Sequence, residues 1–303
     1  MSAAGPDVHS PLRVACESPA RVRVHDRAGW LALFAVDGVV EDPVGSAPHR
    51  GLAALGRFYD TFIGPNDVVM QSALDVTHPS GMQVARDVVI HTTMSTGLAI
   101  DVHAYLLYEL VTDDNGLRIG RLAAHWDLPR MSLHVMTRGL RGLWTLTMTT
   151  VHMLRHQGVG GVLGYMRGMT HGMFGRGTRA VARLADAISQ RDVGRLAALL
   201  SPDACVDLIV PAHAAPAAAT SPPALTAPAA RLLASLPAGA QFTVDSALSS
   251  GFTVAFRYAC PSDGGPRAQP APHGIGFCTF SSQATRGQRA ITVLRLFPTP
   301  SAP

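Results

Sequence analysis

Few side chains in this sequence are placed to move a proton, and one carboxylate leads them. In Val39-Val40-Glu41-Asp42-Pro43-Val44-Gly45-Ser46, an apolar strand end delivers Asp42 into a turn built by Pro43 and Gly45. Shifting a proton at a carbon beside a carbonyl needs two groups. One is a base; the other is a donor at the oxygen where charge develops. An apolar pocket strengthens both, because charges there are poorly screened. Other polar or aromatic side chains in the same half of the chain, among them Phe58, Tyr59, Asp101, His103, Tyr105, Tyr108 and Trp126, are of types such a site could use. Each has an ordinary alternative. Asp42 could simply cap its own turn, and Tyr59 could be a core aromatic.

Residues 36–46, followed by His49-Arg50-Gly51, resemble the Δ5-3-ketosteroid isomerases and the SnoaL-like polyketide cyclases, whose fold is the cone of nuclear transport factor 2. The resemblance covers residues 10–130. It continues through Arg57-Phe58-Tyr59 on the third helix and Trp126-Asp127 at the end of the last strand. It implies that Asp42 is the general base acting on a hydrophobic ketone of steroid or polyketide type, with no cofactor and no metal. That family pairs its aspartate base with a tyrosine and a protonated aspartic acid as donors. Here the pattern departs. Counting back from Asp42, the tyrosine position holds Ser18, and no tyrosine precedes Tyr59. The resemblance implies a supporting role for Tyr59. The second donor falls on Tyr105 when counted from the turn at 95–97, and on Tyr108 when counted back from Asn115-Gly116. Tyr105 is the first choice, which makes the expected catalytic set Asp42, Tyr59 and Tyr105. Phe58, Asp101, His103, Tyr108 and Trp126 are the expected substrate contacts.

The strand at 98–111 leaves its orientation open. Asp101, His103 and Tyr105 share one face, and Ala104, Leu106 and Tyr108 share the other. Either the polar face lines a pocket, or it faces solvent and the apolar face is buried.

The chain must supply elements that hold these groups. Ser10-Pro11 and Ser18-Pro19 read as helix starts, and 27–34 and 51–63 as helices with apolar faces. A short strand is expected at 38–42. Long strands follow at 68–77, 82–94, 98–111 and 117–127, separated by Gly, Ser and Asn-Gly turns. Helices followed by an antiparallel meander give an α+β fold, a curved sheet wrapped round helices. Residues 131–177, rich in Met and Gly, read as a helical linker broken at Gln157-Gly158. From 178 to 298 the order of elements repeats. The expected fold is therefore two tandem cone-shaped domains, the second degenerate. Laying Leu200 on Phe34 puts Leu208 opposite Asp42, so the second copy lacks the base.

Composition narrows the function. The chain has 303 residues, 47% hydrophobic and 15% charged, with a net charge of +4. All 25 basic residues are arginine, which excludes Schiff-base and lysine phosphate-cradle chemistry. The arginines form no run of the kind that binds nucleic acid. The four cysteines show no C-x-x-C spacing and no apolar run suits a membrane span, so a cytoplasmic protein is expected. His152 and His156 have metal-capable spacing without an evident third ligand. The expected partner is a small hydrophobic substrate. The chain itself is expected either as a monomer whose second domain serves as an intrachain partner or as a homodimer. Ligand binding without catalysis, or a structural role, is the alternative to isomerase or cyclase activity.

Overall fold

The structure, a computed structural model, describes residues 10–114, 116–208, 227–236, 239–261, 273–284 and 289–299. The chain divides into two compact units, Met1–Gly172 and Met173–Pro303.

The first unit opens with helix α1 (Pro11–Arg23). Ser10 caps it, its Oγ accepting from the Arg13 N–H at 3.3 Å, and Pro11 fits the first turn, where its missing N–H costs nothing. Ser18-Pro19 does not start a second helix; Pro19 lies inside α1. A proline there cannot bond the carbonyl four residues back. That carbonyl, of Ala15, instead accepts from Arg86 Nη1 at 3.1 Å. Helix α2 (Arg27–Ala32) is capped by Asp26 and leads into strand β1 (Phe34–Glu41), longer at its start than the sequence suggests. Strand β2 (His49–Arg50) hands over to α3 (Gly51–Phe58), which ends in a π-helical turn at Tyr59–Ile63. The meander follows as β3 (Asp67–Thr77), β4 (Gln83–Thr93), β5 (Ala99–Asp113) and β6 (Gly116–His125).

The strands make one sheet in the order β2-β1-β6-β5-β4-β3. Only β1 and β6 run parallel. Register shifts at Phe34/Val39, Ser72/Leu74 and Glu109/Leu110 bend the sheet. Its concave face packs on α1–α3 through Ala15, Trp30, Leu55, Phe58, Val84, Leu106 and Leu122, among others.

Two more helices belong to this unit. Helix α4 (Leu128–Met136) is capped by Asp127, which accepts from the Arg130 N–H at 2.9 Å. Helix α5 (Leu140–Thr170) begins after Gly139, whose φ of 66° favours glycine, and kinks at Gly158 with φ 69°. The break expected at Gln157-Gly158 is thus a kink within one helix.

The second unit repeats the plan. Helices α6 (Gly175–Ser189) and α7 (Val193–Leu199) precede β7 (Leu200–Leu208), then α8 (Pro228–Ala234), β8 (Thr243–Ser250), β9 (Thr253–Ala259), β10 (His273–Phe280) and β11 (Ile291–Pro298). The sheet order β7-β11-β10-β9-β8 copies β1-β6-β5-β4-β3. The first and last strands are again parallel, and the register jump from Leu200 to Cys205 opposite Ile291 to Val293 copies that from Phe34 to Val39 opposite Ile119 to Arg121. The fold is therefore α+β with tandem cone-type sheets. The proline- and alanine-rich stretch at 211–226 lies outside the described residues.

Candidate active site

Asp42 follows directly on β1, on the same side of the strand as the fully buried Val40. The turn after it is tied down: the Val44 N–H donates to the Ala124 carbonyl at 2.9 Å, and the Ser46 N–H to Pro43 at 3.1 Å. Across the sheet, Trp126 Nε1–H donates to Asp42 Oδ1 at 2.6 Å. Among the described residues Oδ2 accepts no hydrogen bond. Burial pushes the carboxyl up to about 6, and the Trp126 hydrogen bond holds it back from going further. Asp42 is thus a desolvated carboxylate, oriented through one oxygen, with no hydrogen bond to the other among the described residues.

Inside the cone, Tyr108 is fully buried on the concave face of β5. Burial pushes its phenol up, and its neighbours Arg86 and Ser18 hold part of that shift back. Both lie within polar reach of the Tyr108 hydroxyl, but neither contact has full hydrogen-bond geometry. Ser18, also buried, accepts instead from Trp30 Nε1 at 3.2 Å. A buried hydroxyl held this loosely can turn its proton to a ligand oxygen, which makes Tyr108 a candidate donor. Tyr59 is likewise buried with an unpartnered hydroxyl. Its ring packs on Trp30, with centroids 5.5 Å apart, and its charged neighbours are Asp26, Arg27 and Asp60 rather than Asp42. Phe58 packs between Trp30, His49 and Phe62.

Tyr105, Asp101 and His103 are not brought to Asp42. They project from β5 opposite to Tyr108 and pair among themselves and with β4. His91 Nδ1 meets Asp101 at 2.7 Å, His103 Nε2 meets Asp87 at 2.6 Å, and the His103 and Tyr105 rings lie 5.1 Å apart. These are neighbours across the β4–β5 ladder, where Asp101 faces His91 and Tyr105 faces Asp87. The alternation is settled in favour of the Ala104, Leu106, Tyr108 face, although β5 is buried on both sides from Ala104 to Tyr108.

Tyr165, on α5, belongs to the site and was not anticipated. Its ring stacks on Phe62 at 5.6 Å and joins the core that holds Trp126 and Val40. Burial and the charge of Asp42 both push its phenol up. Helix α5 reaches this place through glycines. The Ala47 N–H donates to the Gly164 carbonyl at 3.0 Å, and a Cβ on Gly164 would sit 2.6 Å from the Ala47 Cβ. A Cβ on Gly168 would sit 2.6 Å from Ser46 Oγ. The spacing Gly160, Gly164, Gly168 was the available signal, since small residues four apart let a helix approach closely. Between the 46–49 turn, α3 and α5 lies a cleft of about 210 Å³, lined by His49, Arg57, Phe62, Gln157 and Tyr165, among others. Burial and Arg57 push His49 down to about 4, so it is a neutral wall of that cleft. Among the described residues no three His, Cys, Asp or Glu side chains converge as metal ligands.

Residues 15–115 match the nuclear transport factor 2 (NTF2) domain. The Δ5-3-ketosteroid isomerase of a Mycobacterium species is 36% identical over 40% of this chain and 95% of its own, with a TM-score of 0.37. A Mycobacterium tuberculosis protein solved with estradiol-17β-hemisuccinate is 30% identical over 40% of this chain and 96% of its own, also with a TM-score of 0.37. The chain belongs to the NTF2-like family of ketosteroid isomerases and SnoaL-like polyketide cyclases. The epoxide hydrolase/cyclase-like enzyme SalBIII of salinomycin pyran-ring formation is 18% identical over 39% of this chain and 91% of its own, with a TM-score of 0.36.

Proposed function

We propose that the first unit catalyses proton transfer on a small hydrophobic ketone of steroid or polyketide type, as an isomerase or cyclase. Asp42 is the base and Tyr108 the donor at the carbonyl oxygen. In a Δ5-3-ketosteroid, Asp42 Oδ2 would take a proton from the carbon between the ketone and the double bond. The electron pair moves onto the carbonyl oxygen, where the Tyr108 hydroxyl stabilises the enolate. The same proton is returned at the far end of the former double bond, giving the conjugated enone with atoms and charge conserved.

The observation that carries this reading is the desolvated carboxyl of Asp42, poised near 6 and oriented through one oxygen. A general base works best with a pKa near the working pH. Tyr108 takes the donor role ahead of Tyr105 because it lies on the concave face, beside Ser18 and Arg86, which hold its hydroxyl only loosely. The second unit, carrying Leu208 at the position of Asp42, is a structural copy without a base.

Ser18 at the family's tyrosine position favours a second reading, hydrophobic-ligand binding without turnover. One experiment separates the two. A Δ5-3-ketosteroid is added to the full chain, and the ultraviolet absorbance of the conjugated enone is followed alongside binding. Conversion that disappears in Asp42→Asn supports the enzyme. Saturable binding without conversion supports the binding protein. Conversion unchanged in Asp42→Asn would remove Asp42 from the mechanism.

A further inference from the structure

The outer side of α4 and α5 takes no part in the chemistry above, yet it holds most of the large apolar side chains exposed among the described residues. Ten of the seventeen large apolar side chains exposed among the described residues lie between 128 and 170. They are ordered. Leu140, Trp144 and Val151 follow at helical spacing before the Gly158 kink, and Val159, Leu163 and Met166 after it. Leu140 is 87% exposed, Trp144 57% and Leu163 66%. Hydrophobic side chains exposed singly are ordinary, but runs of them at helical spacing on both sides of the Gly158 kink mark a partner.

Charge identifies the partner. From 128 to 185 the sequence contains no Asp or Glu, while Arg130, Arg138, Arg141, Arg155 and Arg167 punctuate α4, α5 and the turn between them. All five are exposed, and none pairs with a carboxylate among the described residues. No helix among the described residues is long and apolar enough to cross a membrane. An apolar stripe with an exposed tryptophan, flanked by arginines and free of acids, is the pattern of a helix that lies in a lipid–water interface. Nucleic acid would use the arginines but leave the leucines in water. A second copy docked face to face would bring unpaired arginines against one another.

We infer that α4 and α5 form a peripheral docking surface for anionic lipid membranes. The stripe sinks to the acyl boundary, and the arginines meet lipid phosphates. This inference is independent of the chemistry assigned to Asp42. It places the cleft of the first unit, which α5 borders through Gly161 and Tyr165, on the helix that meets the phase where hydrophobic molecules dissolve.

Flotation of the full chain with vesicles tests it, comparing phosphatidylcholine alone with phosphatidylcholine–phosphatidylglycerol. The expected result is flotation with the anionic vesicles only, weakening as salt rises from about 0.1 to about 0.5 M. Leu140→Glu with Trp144→Glu, both on the exposed side, should abolish flotation while leaving the circular dichroism spectrum unchanged. Arg138→Gln with Arg141→Gln should weaken binding about 25-fold, at about fivefold for each arginine. Equal recovery with both vesicle types, no flotation, or flotation unchanged in the variants would overturn the inference. So would a dimer by light scattering in vesicle-free buffer that the Glu variants dissociate, which would assign the face to a second copy. A DNA duplex bound in place of vesicles would also overturn it.

Discussion

Asp42 carries a cost that can be measured. Its ordinary value of 3.8 rises to about 6 in the folded protein. The folded state therefore holds that proton more tightly than the unfolded chain. The stabilising contribution is complete below pH 4 and is lost as pH rises through 6. Asp42→Asn keeps an oxygen for Trp126 and removes the charge. It should raise unfolding free energy at pH 8 by on the order of 3 kcal/mol and leave it nearly unchanged at pH 4, read by urea denaturation at both values. No gain at pH 8 would mean that the carboxylate is well solvated. Tyr108 makes a complementary prediction. Its hydroxyl makes no hydrogen bond of full geometry in the core. Tyr108→Phe should therefore leave stability equal or improved, while kcat falls by about a hundredfold with little change in KM. Loss of stability with normal kcat would make Tyr108 structural. Asp42 was legible in the sequence because a whole turn motif surrounds it. The donor was not: Tyr105 and Tyr108 lie on opposite faces, and only the sheet shows that Asp101, His103 and Tyr105 find partners in Asp87 and His91 across the ladder.

At the scale of elements, the strands and turns of the meander follow from alternation and from glycine turns, and they lie where the sequence places them within a residue or two. Helix α1 is the instructive exception. Ser18-Pro19 reads as a new start, yet α1 continues because Arg86, distant in sequence, satisfies the carbonyl that Pro19 orphans. A tertiary donor of that kind has no local signature. Helix α5 was legible as a helix but not as a wall of the site, because its register against residues 46–47 depends on the glycines meeting that turn. Gly164→Ala tests the contact. The added methyl gains about 1 kcal/mol of helix propensity but meets the Ala47 Cβ. It should destabilise the protein by about 1–3 kcal/mol net of that gain, read from the denaturation midpoint. A more stable variant would show that α5 does not dock there.

At the scale of the whole molecule, one sheet topology occurs twice, down to the register jump at the first strand. The repeat was visible because helix, short helix and strand recur in order around Leu200. What the repeat lacks is equally plain, since Leu208 stands in the place of Asp42. The chain should therefore turn over or bind one steroid, not two, and calorimetric titration should give one site per chain. A second site of similar affinity would mean that the second unit kept a pocket of its own. All of this depends on Asp42 holding its proton to an unusually high pH. That is read most directly by following the Asp42 carboxyl carbon through a pH titration by NMR. The account predicts a midpoint at about 6 that is absent in Asp42→Asn; a midpoint at or below the ordinary 3.8 would contradict it.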